Sequence, residues 1–407
     1  MRPVLLLLMV LAAGLCGQDK PKLPPWRIDP YTKNDPKALA AMGYVSFAPM
    51  PFGQRGSKVC TTEDIDKHLS YERILWVETP HFRIGTALPE WIVPVEPDTR
   101  AKLREEIGRL QKKLPKFEPK TMRLDPWLRL HLIAQRCEDI YAATQDLFGV
   151  KDSDFPIDKS KVIAGQGRYM GYGPFLGMAE KYLLLVFDKS GSYQDYLKNF
   201  VGRVTKYEQR WHFKESGSLI YVLPCDLDQY DLRHDTDLHT DIAHGLSHSL
   251  SDGFRHYSYD LPVWLTEGLA HWYSRRISAR VMCFCQNESS AADFKRIEKW
   301  PVETRRYIAS GKGATFSEAI GWRDFSQLKF EDHVLAWSRI DFLMSLGKEK
   351  FSAYMFEVKG RVDANWSPDT TDIVGASRDA LQKVYGLSPL SFDDKWKTWV
   401  NKNYPVQ

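Results

Sequence analysis

Two histidines four residues apart, His244 and His248, lie in the segment His244-Gly-Leu-Ser-His248. Glu267 follows nineteen residues after the second, inside Trp264-Leu-Thr-Glu-Gly-Leu-Ala-His271. On an α-helix a spacing of four puts both imidazoles on one face, one turn apart, where they can share a metal ion. With a carboxylate from the next helix they make a three-ligand zinc site whose fourth position stays open for water, as catalytic zinc requires. Six of the eleven histidines fall between His234 and His271, so the chemistry-bearing residues of the chain are concentrated in this stretch.

The pattern resembles the gluzincin metallopeptidases, the clan that includes thermolysin, the aminopeptidase N type and the peptidase MA-like group. The nineteen-residue interval is similar to the aminopeptidase N arrangement. The resemblance implies that His244, His248 and Glu267 ligate zinc. It also carries a departure: the family pattern is H-E-x-x-H, and the place of its glutamate is taken by Gly245. That glutamate is the general base that takes a proton from zinc-bound water. The ligands of the family are present and its base is not.

The function expected from this combination is a zinc-binding, metallopeptidase-like protein that is catalytically impaired and acts by holding an extended peptide or a protein ligand in its cleft. The alternative is an active zinc-dependent peptidase or other hydrolase with a displaced general base. Asp241, three residues before His244 on the same helix face, is the candidate for that base; otherwise it orients His244 from behind. His271 lies one turn after Glu267, where family members often hold an acidic residue that orients the first histidine. It is expected beside the ligands, or as an extra ligand. Tyr257, Tyr259, His256 and His333 are candidates for stabilising an oxyanion, and the sequence does not rank them.

These residues need elements to position them. Leu238, Ile242, Leu246 and Leu250 form an apolar stripe on a face of the HxxxH helix away from the histidines, as a core-packed helix presenting ligands to a cleft requires. Ile74–Ile84 reads as a strand pair broken at Pro80, with His81 a strand residue. Residues 182–187 and 218–223 read as buried strands, and 191–200 as a short helix. Helices are expected over 99–114, from Asp125-Pro126 to a stop at Gly149, and over 331–346, 349–358, 377–386 and 392–400. Residues 280–330 read as irregular. The glycine-rich stretch 163–178 reads as a loop at the cleft rim; it holds no phosphate-binding pattern.

The fold class expected is therefore α+β: a gluzincin- or thermolysin-like arrangement with a small mixed sheet and the HxxxH helix packed on a C-terminal helical subdomain. The divisions are a signal peptide over 1–17, a Pro/Gly-rich N-terminal arm over 18–70 and a sheet-containing subdomain over 71–230. The zinc-site helices and the helical subdomain follow over 231–402.

With 407 residues, 43% hydrophobic and 27% charged, the chain can bury a large core. A net charge of +4 is too small for this length to point to nucleic acid. Arg2, the apolar run Val4–Ala13 and the small residues after it read as a secretory signal, so the protein is expected to be secreted, periplasmic or in the cell envelope. Membrane attachment is expected only if Cys16 is lipidated, and Leu15 before it is not the small residue that a lipobox wants. Five cysteines follow the signal: Cys60, Cys137, Cys225, Cys283 and Cys285. An odd number leaves at least one thiol unpaired within the chain. Cys283-Phe-Cys285 reads as packing cysteines, not as a metal site.

Overall fold

The apolar runs become strands that are buried on both faces. The computed structural model describes residues 23–114, 122–227, 231–285 and 297–406. The signal-like segment and Cys16 lie outside the described residues. The first part of the chain forms α1 (Pro36–Met42), the hairpin β1 (Pro51–Arg55) and β2 (Lys58–Thr61), and α2 (Thr62–His68). There follow β3 (Leu75–Glu78), β4 (Phe82–Ala87), the short β5 (Trp91–Ile92), α3 (Pro97–Gln111), β6 (Arg123–Leu124) and α4 (Pro126–Phe148). Next come β7 (Tyr182–Phe187), α5 (Ser190–Tyr196), β8 (Gln209–Phe213) and β9 (Ser218–Pro224). The helical half contains α6 (Asp235–Gly253), α7 (Val263–Ile277), α8 (Trp300–Ser310), α9 (Phe316–Ala319) and α10 (Phe330–Ser345). It ends with α11 (Lys348–Val358), α12 (Ile373–Tyr385) and α13 (Pro389–Asn403). The architecture is mixed α+β with a small mixed sheet.

That sheet has the order β3-β4-β7-β9-β8. The β4–β7 and β7–β9 pairs are parallel, and the outer pairs β3–β4 and β8–β9 are antiparallel. Every residue of β7 and β9 is buried, because successive side chains enter two different cores. Leu184, Val186, Tyr221 and Leu223 face α4, α6 and α7. Leu183, Leu185, Phe187, Ile220 and Val222 face the opposite core, which is completed by Phe52, Ile65, Leu69 and Tyr193. The N-terminal arm is thus more than an extended strap: its hairpin and α2 cover one face of the sheet. Three further elements were not legible as regular structure: α8 and α9 within 280–330, and the polar edge strand β8.

The long helix α4 is bounded as its sequence implies. The Asp125 carboxylate accepts from the amides of Trp127 and Leu128, Pro126 occupies the first turn, and Gly149 closes the helix in the left-handed region. From α4, Arg136 donates to both oxygens of Asp235 (3.0 and 2.6 Å) and both oxygens of Glu106 (3.0 and 2.6 Å). This buried network ties the start of α6 to α3 and α4. At the other end of the site, α7 lies so close to α10 that a Cβ at Gly268 would stand 2.7 Å from the Ala336 carbonyl oxygen. The glycine of Glu-Gly-Leu-Ala therefore sets the depth at which Glu267 sits.

The glycine-rich stretch packs on the turn after α6, where the Leu176 carbonyl accepts from the Arg255 amide at 2.6 Å and the Tyr169 carbonyl from the Arg255 guanidinium at 2.8 Å. It does not line the cavity described below. No helix among the described residues is long and apolar enough to cross a membrane.

Candidate metal centre

Helices α6 and α7 pack against each other and bring the three sequence-identified ligands together. Along α6, Leu238, Leu246 and Leu250 are fully buried in the core, which turns His244 and His248 toward α7. His248 Nε2 stands 3.1 Å from Glu267 Oε2, and His244 Nε2 stands 3.8 Å from Glu267 Oε1. Thr266 fixes His248 from behind: its hydroxyl is 2.9 Å from Nδ1, and with a metal on Nε2 the Nδ1–H would donate to that hydroxyl. Neither nitrogen of His244 has a hydrogen-bond partner, although both are buried.

A fourth donor completes the group. Cys285 Sγ lies 3.5 Å from His248 Nε2 and 3.5 Å from Glu267 Oε2. The ligand atoms of His244, His248, Glu267 and Cys285 all fall within 4.8 Å of one another. Bonds of about 2.3 Å to sulfur and about 2.0–2.1 Å to nitrogen or oxygen place tetrahedral neighbours roughly 3.3–3.6 Å apart. The observed spacings and the unpartnered His244 nitrogens fit such an ion. The packing role expected for the Cys283–Cys285 pair therefore holds for one member only: Cys283 is buried, while the half-buried Cys285 joins the group that could hold a metal ion. The reason is tertiary, since nothing in Cys-x-Cys spacing places one sulfur beside two helices. All five described cysteines are free thiols.

Electrostatics favour the ligating forms. Burial pushes His248 down to about 4, helped by the nearby Arg210 charge, and burial drives His244 well below its ordinary value. Both imidazoles are neutral near pH 7, the form that binds metals. Burial alone would raise Glu267; attraction to His271 and the contact with His248 outweigh it and hold the carboxyl well below its usual range.

On the far side of Glu267 stand His271 and His333. His271 Nε2 is 3.1 Å, and His333 Nδ1 3.0 Å, from Oε1. His271 is thus beside the ligands, and its ring centroid is 5.0 Å from that of His244. His333 comes from α10 and does not face the cavity. Asp241 accepts a hydrogen bond from the Tyr221 hydroxyl at 2.6 Å, and it lies outside the cavity lining.

Gly245 is closed off from above by Tyr221 of β9. A Cβ built there would have Tyr221 ring carbons as its three nearest atoms, all within 2.6 Å. The space that a side chain at residue 245 would need is filled by an aromatic ring.

The group opens on a cavity of about 460 Å³ between the β8 edge and α6, lined by Arg210, Trp211, Tyr221, His244, His248 and Cys285 among others. Arg210 reaches Asp252 Oδ2 at 3.4 Å and Cys285 Sγ at 3.5 Å. Tyr257 and Tyr259 line the same cavity, joined by a 2.7 Å hydrogen bond. His256 lies away from it, 3.2 Å from the Tyr169 hydroxyl. Cys285, His333, Thr266 and Tyr221 carry no readable sign of these places in the sequence; for His333 the sequence suggests only an oxyanion donor. Comparison with family models and with curated proteins finds no match to this chain.

Proposed function

We propose that this chain is an exported zinc-binding protein on a gluzincin-like metallopeptidase frame, catalytically impaired, whose cleft holds an extended peptide or protein segment. One observation carries the reading: His244, His248, Glu267 and Cys285 converge on one point while Gly245 and the Tyr221 ring take the place of the family's base. Four protein ligands leave no open position for water, which is the mark of a structural zinc site. Zinc with an open position would supply an activated water; this ligand set withholds that position.

The chain's own residues supply the binding side. In the five-stranded sheet β8 pairs with β9 alone and lies at the edge, beside the cavity. An edge strand offers backbone donors and acceptors to an extended segment, and side chains along the groove select its sequence. Arg210 and Asp252 place charges of both signs there, and Trp211, Tyr257 and Tyr259 provide aromatic surface. Export rests on the sequence of residues 1–17.

The alternative, an active peptidase with Asp241 as base, is weaker because that carboxylate receives the Tyr221 hydroxyl and stays out of the cavity. The test is metal content by mass spectrometry on the purified chain, His244→Ala and Cys285→Ser, with labelled extended peptides assayed for binding and turnover. Zinc retained by the wild type, reduced in His244→Ala, with peptide binding and no turnover, is the expected result. A wild type that takes no zinc overturns the reading. Turnover abolished by His244→Ala replaces it with the active hydrolase.

A further inference from the structure

Glu267 has two oxygens and two sets of neighbours. Oε2 faces His248 and Cys285, while His244 Nε2 lies 3.8 Å from Oε1. Oε1 faces His271 Nε2 at 3.1 Å and His333 Nδ1 at 3.0 Å, and those two nitrogens are 2.9 Å apart. All three residues are almost completely excluded from solvent. Despite both short contacts, Oε1 is left without a hydrogen bond of ordinary geometry.

Protons alone satisfy the triangle poorly. A hydrogen bond needs one donor and one acceptor, and an imidazole nitrogen carries either a proton or a lone pair. An ionised carboxylate oxygen only accepts. If the two nitrogens share one proton, the accepting nitrogen turns its lone pair on the ionised oxygen; if both carry protons, two N–H groups 2.9 Å apart crowd that one oxygen. Burial makes either conflict costly. A cation bonded to all three atoms removes it. Edges of 2.9–3.1 Å are what two metal–ligand bonds of about 2.0–2.2 Å would span at roughly a right angle.

We propose that His271, His333 and Glu267 Oε1 form a second metal position, for a divalent first-row transition ion, and that Glu267 bridges it to the first. Two imidazoles and a carboxylate suit zinc, iron(II), cobalt(II) or manganese(II). Phe284 and Trp300 pack edge-on against His271, and Phe284 also against His333, which closes this position from solvent. The second ion would lock α10 to α7 as the first locks α6 to α7. The proposal rests in part on the zinc reading, because Glu267 is shared.

The test is cobalt(II) titration of the chelator-treated full chain, with ions counted by mass spectrometry and the thiolate-to-cobalt absorption of Cys285 followed in the near ultraviolet. The expected result is two ions in the wild type, one in His333→Asn with the thiolate band kept, and one in His244→Ala with that band lost or strongly weakened. One ion in the wild type, unchanged in His333→Asn, overturns the second position and leaves the first standing. One ion without a thiolate band, kept in His244→Ala and lost in His333→Asn, does the reverse. No ion overturns both. If His333→Asn does not fold, magnetic coupling between cobalt ions in the wild type decides: a coupled pair supports the bridge, and an isolated-ion spectrum overturns it.

Discussion

The Tyr221 ring occupies the space into which a side chain at Gly245 would project, with its nearest carbons inside van der Waals contact of a Cβ there. Strand β9 and helix α6 approach this closely because residue 245 has no side chain. Gly245 is therefore part of a packing solution that includes the tyrosine.

Gly245→Ala is expected to destabilise the protein, although alanine in a helix interior is ordinarily worth about 1 kcal/mol over glycine. Overpacking of this kind typically costs about 1–3 kcal/mol. In a Tyr221→Ala background the same substitution becomes neutral or stabilising. Urea unfolding of the four proteins of this double-mutant cycle checks the coupling. Gly245→Glu alone is expected to yield poorly folded protein and no peptidase activity; the glutamate needs Tyr221 shortened first.

Thr266→Val removes the hydroxyl 2.9 Å from His248 Nδ1. Metal affinity is expected to fall roughly 10- to 100-fold, as for other losses of a ligand-orienting partner, with little change in peptide binding to the apo protein. Competition with a chromophoric chelator measures it.

Cys285→Ser is expected to weaken metal binding without abolishing it, since His244, His248 and Glu267 remain. In the wild type, metal loading is expected to protect Cys285 from alkylation, while the buried Cys283 reacts slowly in either state. Mass-spectrometric mapping of the labelled thiols distinguishes the two.

Arg136 joins Asp235 and Glu106 in one buried network. Arg136→Met leaves two carboxylates without their cation and is expected to cost about 3–5 kcal/mol. Replacing all three residues by apolar ones should recover most of that loss. Urea midpoints at constant slope report both changes.

Burial, with the nearby Lys359 charge, pushes His256 down from its ordinary 6.5 to about 4. Asp260, 3.7 Å away, opposes this without reversing it. Between those two values the unfolded chain binds a proton that the native chain does not, so stability falls as pH is lowered through the window. The contribution is on the order of 3 kcal/mol. His256→Asn is expected to flatten the slope of stability against pH from 6.5 to 4 relative to the wild type under the same metal loading.

Much of the site was already legible in the chain order. His244 and His248 share a face because four residues are one helical turn, and Leu238, Leu246 and Leu250 say which side of that helix is buried. Asp125-Pro126 and Gly149 mark the ends of α4 by local chemistry alone, a cap that accepts amides and a residue that tolerates the left-handed region. Strands β7 and β9 announce themselves as unbroken apolar runs because both their faces are covered. Each of these signals is local: it depends on residues within a few positions of one another.

Tertiary structure decided what depends on distant residues meeting. Cys285 reaches the ligands from beyond the end of α7, and His333 arrives on α10, 66 positions after Glu267 in the sequence. Neither has a spacing that encodes the encounter. Strand β8 was invisible because an edge strand facing a cleft carries polar side chains and lacks the apolar alternation that marks a half-buried one. The sequence determined that residue 245 is a glycine and so cannot act as a base. That the glycine is also what admits Tyr221 against α6 follows only from the approach of β9, whose alternation sends that one ring toward the helix.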